Sequence, residues 1–325
     1  MANEKDTNAA SEAQAKNSEF LRSLDDFTPE AKTDEVKAKK SLKGSAFVSL
    51  IAIILCLTIF FYSSYLLIKI WIDNESSGEL YEAIENEFLD VLNPSIFLGT
   101  AIMPSKSGSL SASASVPSSM GSLNTVPGNG TSWRFQQMLS KLESLRSTNG
   151  DTIGYISVSN TGINYPVVKG EDNSFYLDHS FNKTSLKSGA IFADWRCEAS
   201  PNDNKNLVIY GHNMANGTMF AQVKYFIPDV ELFNQATITV YAFDGIYTYE
   251  LFAIYYAEAD EDYLRTSFPF DKNFLDWCKE RKTRSIWQKD ITFSPDDHII
   301  TLSTCINGTS AGRIAVHGIL RHVET

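Results

Sequence analysis

Thr301-Leu302-Ser303-Thr304-Cys305, led in by His298-Ile299-Ile300, is the stretch on which the fold turns. It is apolar and rich in β-branched residues, so it reads as a buried strand ending at a cysteine. A side chain in that position sits at the rim of a sheet, where a loop begins and a ligand can reach it. A second apolar run, 314–320, opens just behind Arg313, which places the arginine where it can lie on the adjacent strand. Upstream, Asn206-Leu207-Val208-Ile209-Tyr210 is another strand, followed at once by Gly211-His212-Asn213-Met214. Three strand ends therefore carry a thiol, an imidazole and a guanidinium, and the chain reads as a frame for presenting Cys305.

The same β pattern extends upstream. Segments 153–158, 165–168, 190–192, 237–243 and 247–256 read as further strands, joined by short connections rich in Asn, Gly and Asp. That arrangement predicts an antiparallel sheet or a closed barrel. Before it, Phe135, Met138, Leu142 and Leu145 recur at helical spacing, and Asn149-Gly150-Asp151 stops the helix. A late helix is expected over 271–284, with Phe274, Leu275 and Cys278 facing inward, so Cys278 reads as core.

The N-terminal third is different. Residues 1–44 are polar and offer little to bury, which predicts a disordered tail. From Ser45 to Ile68 no residue is charged and most are Leu, Ile, Phe, Val or Ala. About 20 such residues cross a bilayer as a helix. The run is too long for the core of a signal peptide and no small-residue cleavage site follows it. Lys37, Lys39, Lys40 and Lys43 precede it, while Asp73, Glu75 and Glu79 follow, which predicts a cytoplasmic N-terminus. The expected organisation is thus a tail over 1–44, a membrane helix over 45–72, and an acidic helix (79–92) with a Ser/Gly/Ala-rich linker (104–131) within 73–131. The folded unit is expected over 132–325.

Composition narrows the chemistry. A net charge of −11 argues against nucleic acid as a partner. There is no CxxC pair, P-loop or GxGxxG in a strand–helix setting, so no metal, phosphate or cofactor chemistry is signalled. Four cysteines, one of them in the apolar run, do not make a disulfide framework; Cys197 and Cys278 read first as isolated thiols, with a bridge between them as the open alternative. A lone cysteine is usually a small buried hydrophobe. Cys305 departs from that by its strand end and by the arginine behind it, since a nearby cation favours the nucleophilic thiolate. Of five histidines, His179, His298, His317 and His322 read as surface loop, pre-strand position, strand interior and tail, leaving His212. Cys305, His212 and Arg313 together supply a nucleophile, a proton donor and a rigid cation for the oxyanion of acyl transfer.

A histidine before the cysteine and an arginine after it, with TLSTC between, resembles the sortases, the membrane-anchored transpeptidases of Gram-positive bacteria. Further segments look like class B members: Gly154-Tyr155-Ile156, Asn164-Tyr165-Pro166-Val167-Val168, Asp172-Asn173, Tyr176-Leu177, Gly189-Ala190-Ile191-Phe192 with Asp194 and Arg196, Tyr210-Gly211-His212-Asn213-Met214, Gly217-Thr218-Met219-Phe220 and Glu261-Asp262-Tyr263-Leu264-Arg265. The resemblance covers roughly 132–320 and implies a mainly β fold: an eight-stranded barrel with an N-terminal helix and one late inserted helix. It also implies roles. Cys305 would be the nucleophile, His212 the general acid and base, and Arg313 the substrate clamp and oxyanion stabiliser, while Asn173, Ser303, Tyr263 and Leu264 match groove positions.

The implied reaction cuts a C-terminal sorting signal of a secreted protein after threonine and holds the acyl group as a thioester. It then passes that group to a peptidoglycan-precursor amine of the lipid II type. The implied signal is of the Asn-Pro-x-Thr or the Pro-x-Thr-Gly kind. The stretch from Ile306 to Gly312 departs from the family, being short and lacking the acidic residue often found after the cysteine. Three rival readings share the same residues: a hydrolytic cysteine peptidase, a pilin-polymerising enzyme, and a tethered peptide-binding module. An amine acceptor separates the first of these from transpeptidation, and the presence of all three catalytic residue types argues against the last.

Overall fold

Helix α1, Ser45–Leu92, is one uninterrupted helix. The computed structural model describes residues 45–92, 133–258, 262–305 and 312–325. The tail before Ser45, the stretch 104–131, Glu261 and the segment 306–311 after Cys305 lie outside the described residues. From Ile51 to Ile72 nearly every side chain of α1 is exposed, and the helix is apolar on all sides. Such a surface has no partner in water and is long enough to cross a bilayer. The character then changes while the helix continues. Ser77, Tyr81, Ile84 and Phe88 are buried, four, three and four residues apart, and so form one face. The sequence separates an apolar segment from an acidic helix because Asp73, Asn74, Glu75 and Gly78 interrupt the apolar run; none of them breaks the helical backbone.

That face lies on the barrel. Phe88 stacks flat on Tyr155, ring centroids 4.1 Å apart, and Tyr81 meets Tyr165 edge to face at 5.3 Å. Asn164 donates through Nδ2 to Glu85 Oε1 at 2.9 Å. Helix α2, Trp133–Thr148, buries Phe135, Met138, Leu142 and Leu145 as its periodicity predicts. Arg146, in its last turn, complements the helix dipole and covers the Phe243 ring at 4.4 Å.

Eight strands follow: β1 Thr152–Val158, β2 Ile163–Val168, β3 Ile191–Ala193, β4 Asn206–Tyr210, β5 Thr237–Ala242, β6 Gly245–Glu258, β7 Ile299–Cys305 and β8 Gly312–Glu324. They close into a barrel in the order β1-β2-β3-β4-β7-β8-β6-β5. Most pairs are antiparallel, but β2·β3 and β4·β7 are parallel. The long β6 and β8 bend around the barrel at two register shifts, at Thr248/Tyr249 and at Leu251/Ala253. His322 therefore lies on β8 rather than in a tail.

Parallel pairing requires long crossovers, and these carry the inserts. Between β6 and β7 comes helix α4, Asp271–Arg284; the shorter helix α3, Val230–Gln235, precedes β5. Helix α4 buries Phe274, Trp277, Cys278 and Arg281, whereas Leu275 is only half-buried, so the inner face is rotated from the sequence expectation. Cys197 and Cys278 are separate free thiols, both in the core.

Candidate active site

The parallel pairing of β4 with β7 decides where the chemistry lies. Tyr210 is opposite Ser303 in that pair, so His212 and Cys305, each two residues further on, leave their strands at the same level. Adjacent strands run about 4.8 Å apart. On the other side of β7, the antiparallel register puts Arg313 directly opposite Cys305. Imidazole, thiol and guanidinium thus come from three neighbouring strands at one rim of the barrel, with the thiol in the middle. Asn213 Nδ2 donates to the Cys305 carbonyl at 2.9 Å and ties the two strand ends together. Gly211 permits the close turn, since a Cβ there would come within 2.5 Å of Ile191 and 2.7 Å of Phe220.

The three residues open into a groove of about 230 Å³. Asn173 and Leu177, from the β2–β3 connection, form one wall; Tyr263 and Leu264, from the one-turn 3-10 helix Asp262–Leu264, form the opposite one. Phe192, Tyr210, Ser303 and Thr304 make the floor. All seven residues singled out from the sequence line this one groove. Ser303 and Tyr263 are buried and hydrogen-bonded to each other, Oγ to Oη at 2.9 Å, so they join the floor to a wall.

His212 Nε2 lies 2.7 Å from the Leu177 carbonyl oxygen. A carbonyl only accepts, so Nε2 carries a proton and Nδ1 is the nitrogen free to take up or release one. Cys305 is half-exposed. Burial pushes the Cys197 thiol up to about 11 and the Cys278 thiol up to about 12, which leaves those two protonated and shut off from solvent. Among the described cysteines, Cys305 is the one on the groove. Arg313 is half-buried in the groove wall, its Nη1 donating to the Gly312 carbonyl at 3.1 Å. The Thr304 hydroxyl, on the residue before Cys305, is buried with no hydrogen-bond partner among the described residues.

Behind the Asn173 wall sits Asp194, fully buried. It accepts from Arg196 Nε and Nη2, both at 2.8 Å, from Tyr210 Oη at 2.8 Å and from Asn173 Nδ2 at 3.0 Å. Burial alone would raise the carboxyl, but the donors outweigh it and hold it below the ordinary carboxylate range. Arg196 also donates to the Leu264 carbonyl at 3.0 Å and so links both walls. Asn173 is occupied at both ends of its amide, since the Trp195 N–H donates to its Oδ1 at 3.0 Å. The buried carboxylate thus fixes the groove's width.

His317 stands apart from the groove, fully buried between β6 and β7. Thr301 Oγ1 donates to Asn206 Oδ1 at 2.7 Å, so its oxygen accepts from His317 Nδ1 at 2.9 Å, and Tyr255 Oη donates to Nε2 at 2.8 Å. Burial, with Arg281 and Arg284 nearby, drives this imidazole well below its ordinary range and keeps it neutral. It is a structural crosslink.

The sequence reading missed several contributors. The Leu177 carbonyl is a backbone atom and has no residue signature. Thr304 and Tyr210 belong to quoted motifs but carry no type-specific mark of a groove. Asp194 and Arg196 stand two residues apart, a spacing that hints at the ion pair but not at its place behind the wall.

Comparison with known proteins gives the fold a family. A family model described as a sortase domain matches residues 156–321. Sortase B of Listeria monocytogenes is 33% identical over 184 residues, 55% of this chain and 74% of that protein. Among solved structures, a mutant form of Clostridium perfringens sortase B superposes with a TM-score of 0.55 at 35% identity, over 58% of this chain and 90% of its own. A Staphylococcus aureus sortase B–substrate complex gives a TM-score of 0.53 at 31% identity, over 57% and 91%.

Proposed function

The chain belongs to the sortase family, as a cysteine transpeptidase of the sortase B kind that joins proteins to the cell wall, and from that premise we propose that Cys305, His212 and Arg313 carry the reaction. The observation behind this is their common level on β4, β7 and β8. The Cys305 thiolate attacks the carbonyl carbon of the threonine in a sorting signal, forming a C–S bond. Arg313 stabilises the oxyanion that develops. As the C–N bond breaks, protonated His212 gives its proton to the departing amine, leaving a thioester. A peptidoglycan-precursor amine then attacks the thioester and surrenders a proton to His212, and the thiolate leaves.

Asn173, Leu264, Ser303 and Tyr263 shape the peptide groove in this reading. The signal is of the Asn-Pro-x-Thr or Pro-x-Thr-Gly kind, carried by a secreted protein. Residues 45–72 span the membrane with 1–44 on the cytoplasmic side. The segment 73–131 and the catalytic domain, 132–325, lie outside. The apolar, outward-facing half of α1 supports the anchoring.

The test is intact-mass analysis of the full chain in detergent micelles with signal peptides of both kinds. A mass gain equal to the peptide's N-terminal fragment is expected, with none in Cys305→Ala. An added amine should discharge the adduct into a ligated product. An adduct that persists in Cys305→Ala overturns the assignment.

A further inference from the structure

The buried face of α1 reaches the active site through a short chain of contacts. Tyr81 Oη donates to the Gly189 carbonyl at 2.8 Å and accepts from the Phe181 N–H at 3.3 Å. One turn earlier, the Ser77 and Ser188 hydroxyls meet at 2.8 Å. Both contacts grip the end of the β2–β3 connection, which has left-handed backbone at Gly189, φ +59°. A Cβ on Gly189 would run into the carbonyl oxygens of Tyr176 and Leu177. The Gly189 backbone is therefore packed directly against the carbonyl that accepts from His212 Nε2. The next N–H, of Ala190, donates to the Tyr176 carbonyl at 3.0 Å and fixes that approach.

We propose that Tyr81, on the helix that continues out of the apolar anchor, is a positioning residue for His212. It clamps Gly189, Gly189 backs the Leu177 carbonyl, and the Leu177 carbonyl sets the tautomer and orientation of the imidazole. The inference rests on the reading of His212 as the acid–base group. Helix contacts that do not lead to Gly189, such as Glu85 with Asn164, carry no such role. Removing the Tyr81 hydroxyl leaves a buried carbonyl and a buried N–H without their partner, and the segment relaxes. Small displacements of a proton-transfer group lower turnover without changing how the peptide sits.

The experiment uses the full chain in detergent micelles, with a sorting-signal peptide and an amine acceptor. Wild type, Tyr81→Phe, Ser77→Ala, Glu85→Ala and His212→Ala are compared for kcat, KM and the pH dependence of kcat. Tyr81→Phe is expected to lower kcat by about three- to tenfold with KM within about twofold. It should also displace the limb of the pH profile that reports His212, and shift that residue's imidazole nitrogen resonances. Glu85→Ala should leave kcat and the pH profile within about twofold of wild type, because it only loosens helix docking. Equal losses in Glu85→Ala and Tyr81→Phe overturn the proposal, as do an unchanged kcat and pH limb in Tyr81→Phe. Should Tyr81→Phe fail to fold by thermal melting, Ser77→Ala decides: it must show a smaller loss in the same direction, and wild-type behaviour overturns the proposal. An active His212→Ala would instead sink the catalytic reading beneath it.

Discussion

At the scale of single residues, the site divides into groups that meet substrate and groups that hold them. In the proposed reaction Arg313 belongs to the first. Its fork can meet an oxyanion in a plane, which an ammonium cannot. Arg313→Ala is expected to lower kcat/KM by about 10²–10³-fold, and Arg313→Lys to recover only part of that. Steady-state ligation kinetics check both, and a fully active lysine variant would show that charge alone suffices. Asp194 belongs to the second group. Its carboxyl is held below the ordinary value of 3.8. The unfolded chain therefore takes up this proton first as pH falls. The stability Asp194 contributes is fully present above about pH 4 and is lost below it as the folded value is approached. Asp194→Asn should lower stability at neutral pH by about 1–3 kcal/mol, because it strips Arg196 and Tyr210 of a charged acceptor. The same variant should flatten the acid limb of a plot of melting temperature against pH. The three side chains that meet at this rim were legible in the sequence because their order and residue types are themselves chemical statements. The Leu177 carbonyl was not, since a backbone acceptor has no letter of its own.

At the scale of elements, strands were read well wherever a stretch rich in apolar and β-branched residues ran for five residues or more, as in β1, β4 and β5. The one-turn helices Phe175–Leu177 and Asp262–Leu264 are too short to show a period, although both build groove walls. Nor could the pattern reveal that β4 and β7 run parallel, because their partners are set by the barrel and not by either strand's own residues. His317 shows what those strands share. It bonds Tyr255 of β6 and Thr301 of β7, and Thr301 in turn bonds Asn206 of β4. Its folded value lies well below 6.5, so the unfolded chain binds a proton that the folded chain refuses. Stability from this group is complete above about pH 6.5 and falls as pH drops below it, by at most about 1.4 kcal/mol per pH unit. Melting temperatures from pH 8 to pH 5 should show that slope, and His317→Asn, which cannot take up the proton, should lessen it. An equal slope in the variant would assign the loss to other groups. The docked half of α1 makes its own prediction. Phe88→Ala removes a fully buried ring stacked on Tyr155 and should destabilise the fold by about 3–5 kcal/mol. Leu67→Ala, on the outward half, should change it by less than about 0.5 kcal/mol in micelles.

At the scale of the molecule, the long apolar segment and the face that packs on the barrel share one helix. Ser77 stands only five positions after Ile72, about 8 Å along the axis, so in the proposed topology the barrel sits close to the membrane face. The helices on either side of the stretch 104–131 in the chain, α1 and α2, both pack on the barrel. In that topology a fixed stand-off would suit the proposed acceptor, an amine carried on a lipid, since α1 would present the groove at one height. The orientation can be tested by labelling intact cells with a membrane-impermeant maleimide. Cys305 should react, because its thiol is half-exposed on the groove. A cysteine introduced in the tail by Ser23→Cys should react only after the membrane is opened. Cys197 and Cys278 should stay silent in the folded protein, being buried and protonated. Labelling of the tail in intact cells, with Cys305 protected, would invert the topology and place the enzyme on the side of the membrane where no wall acceptor exists.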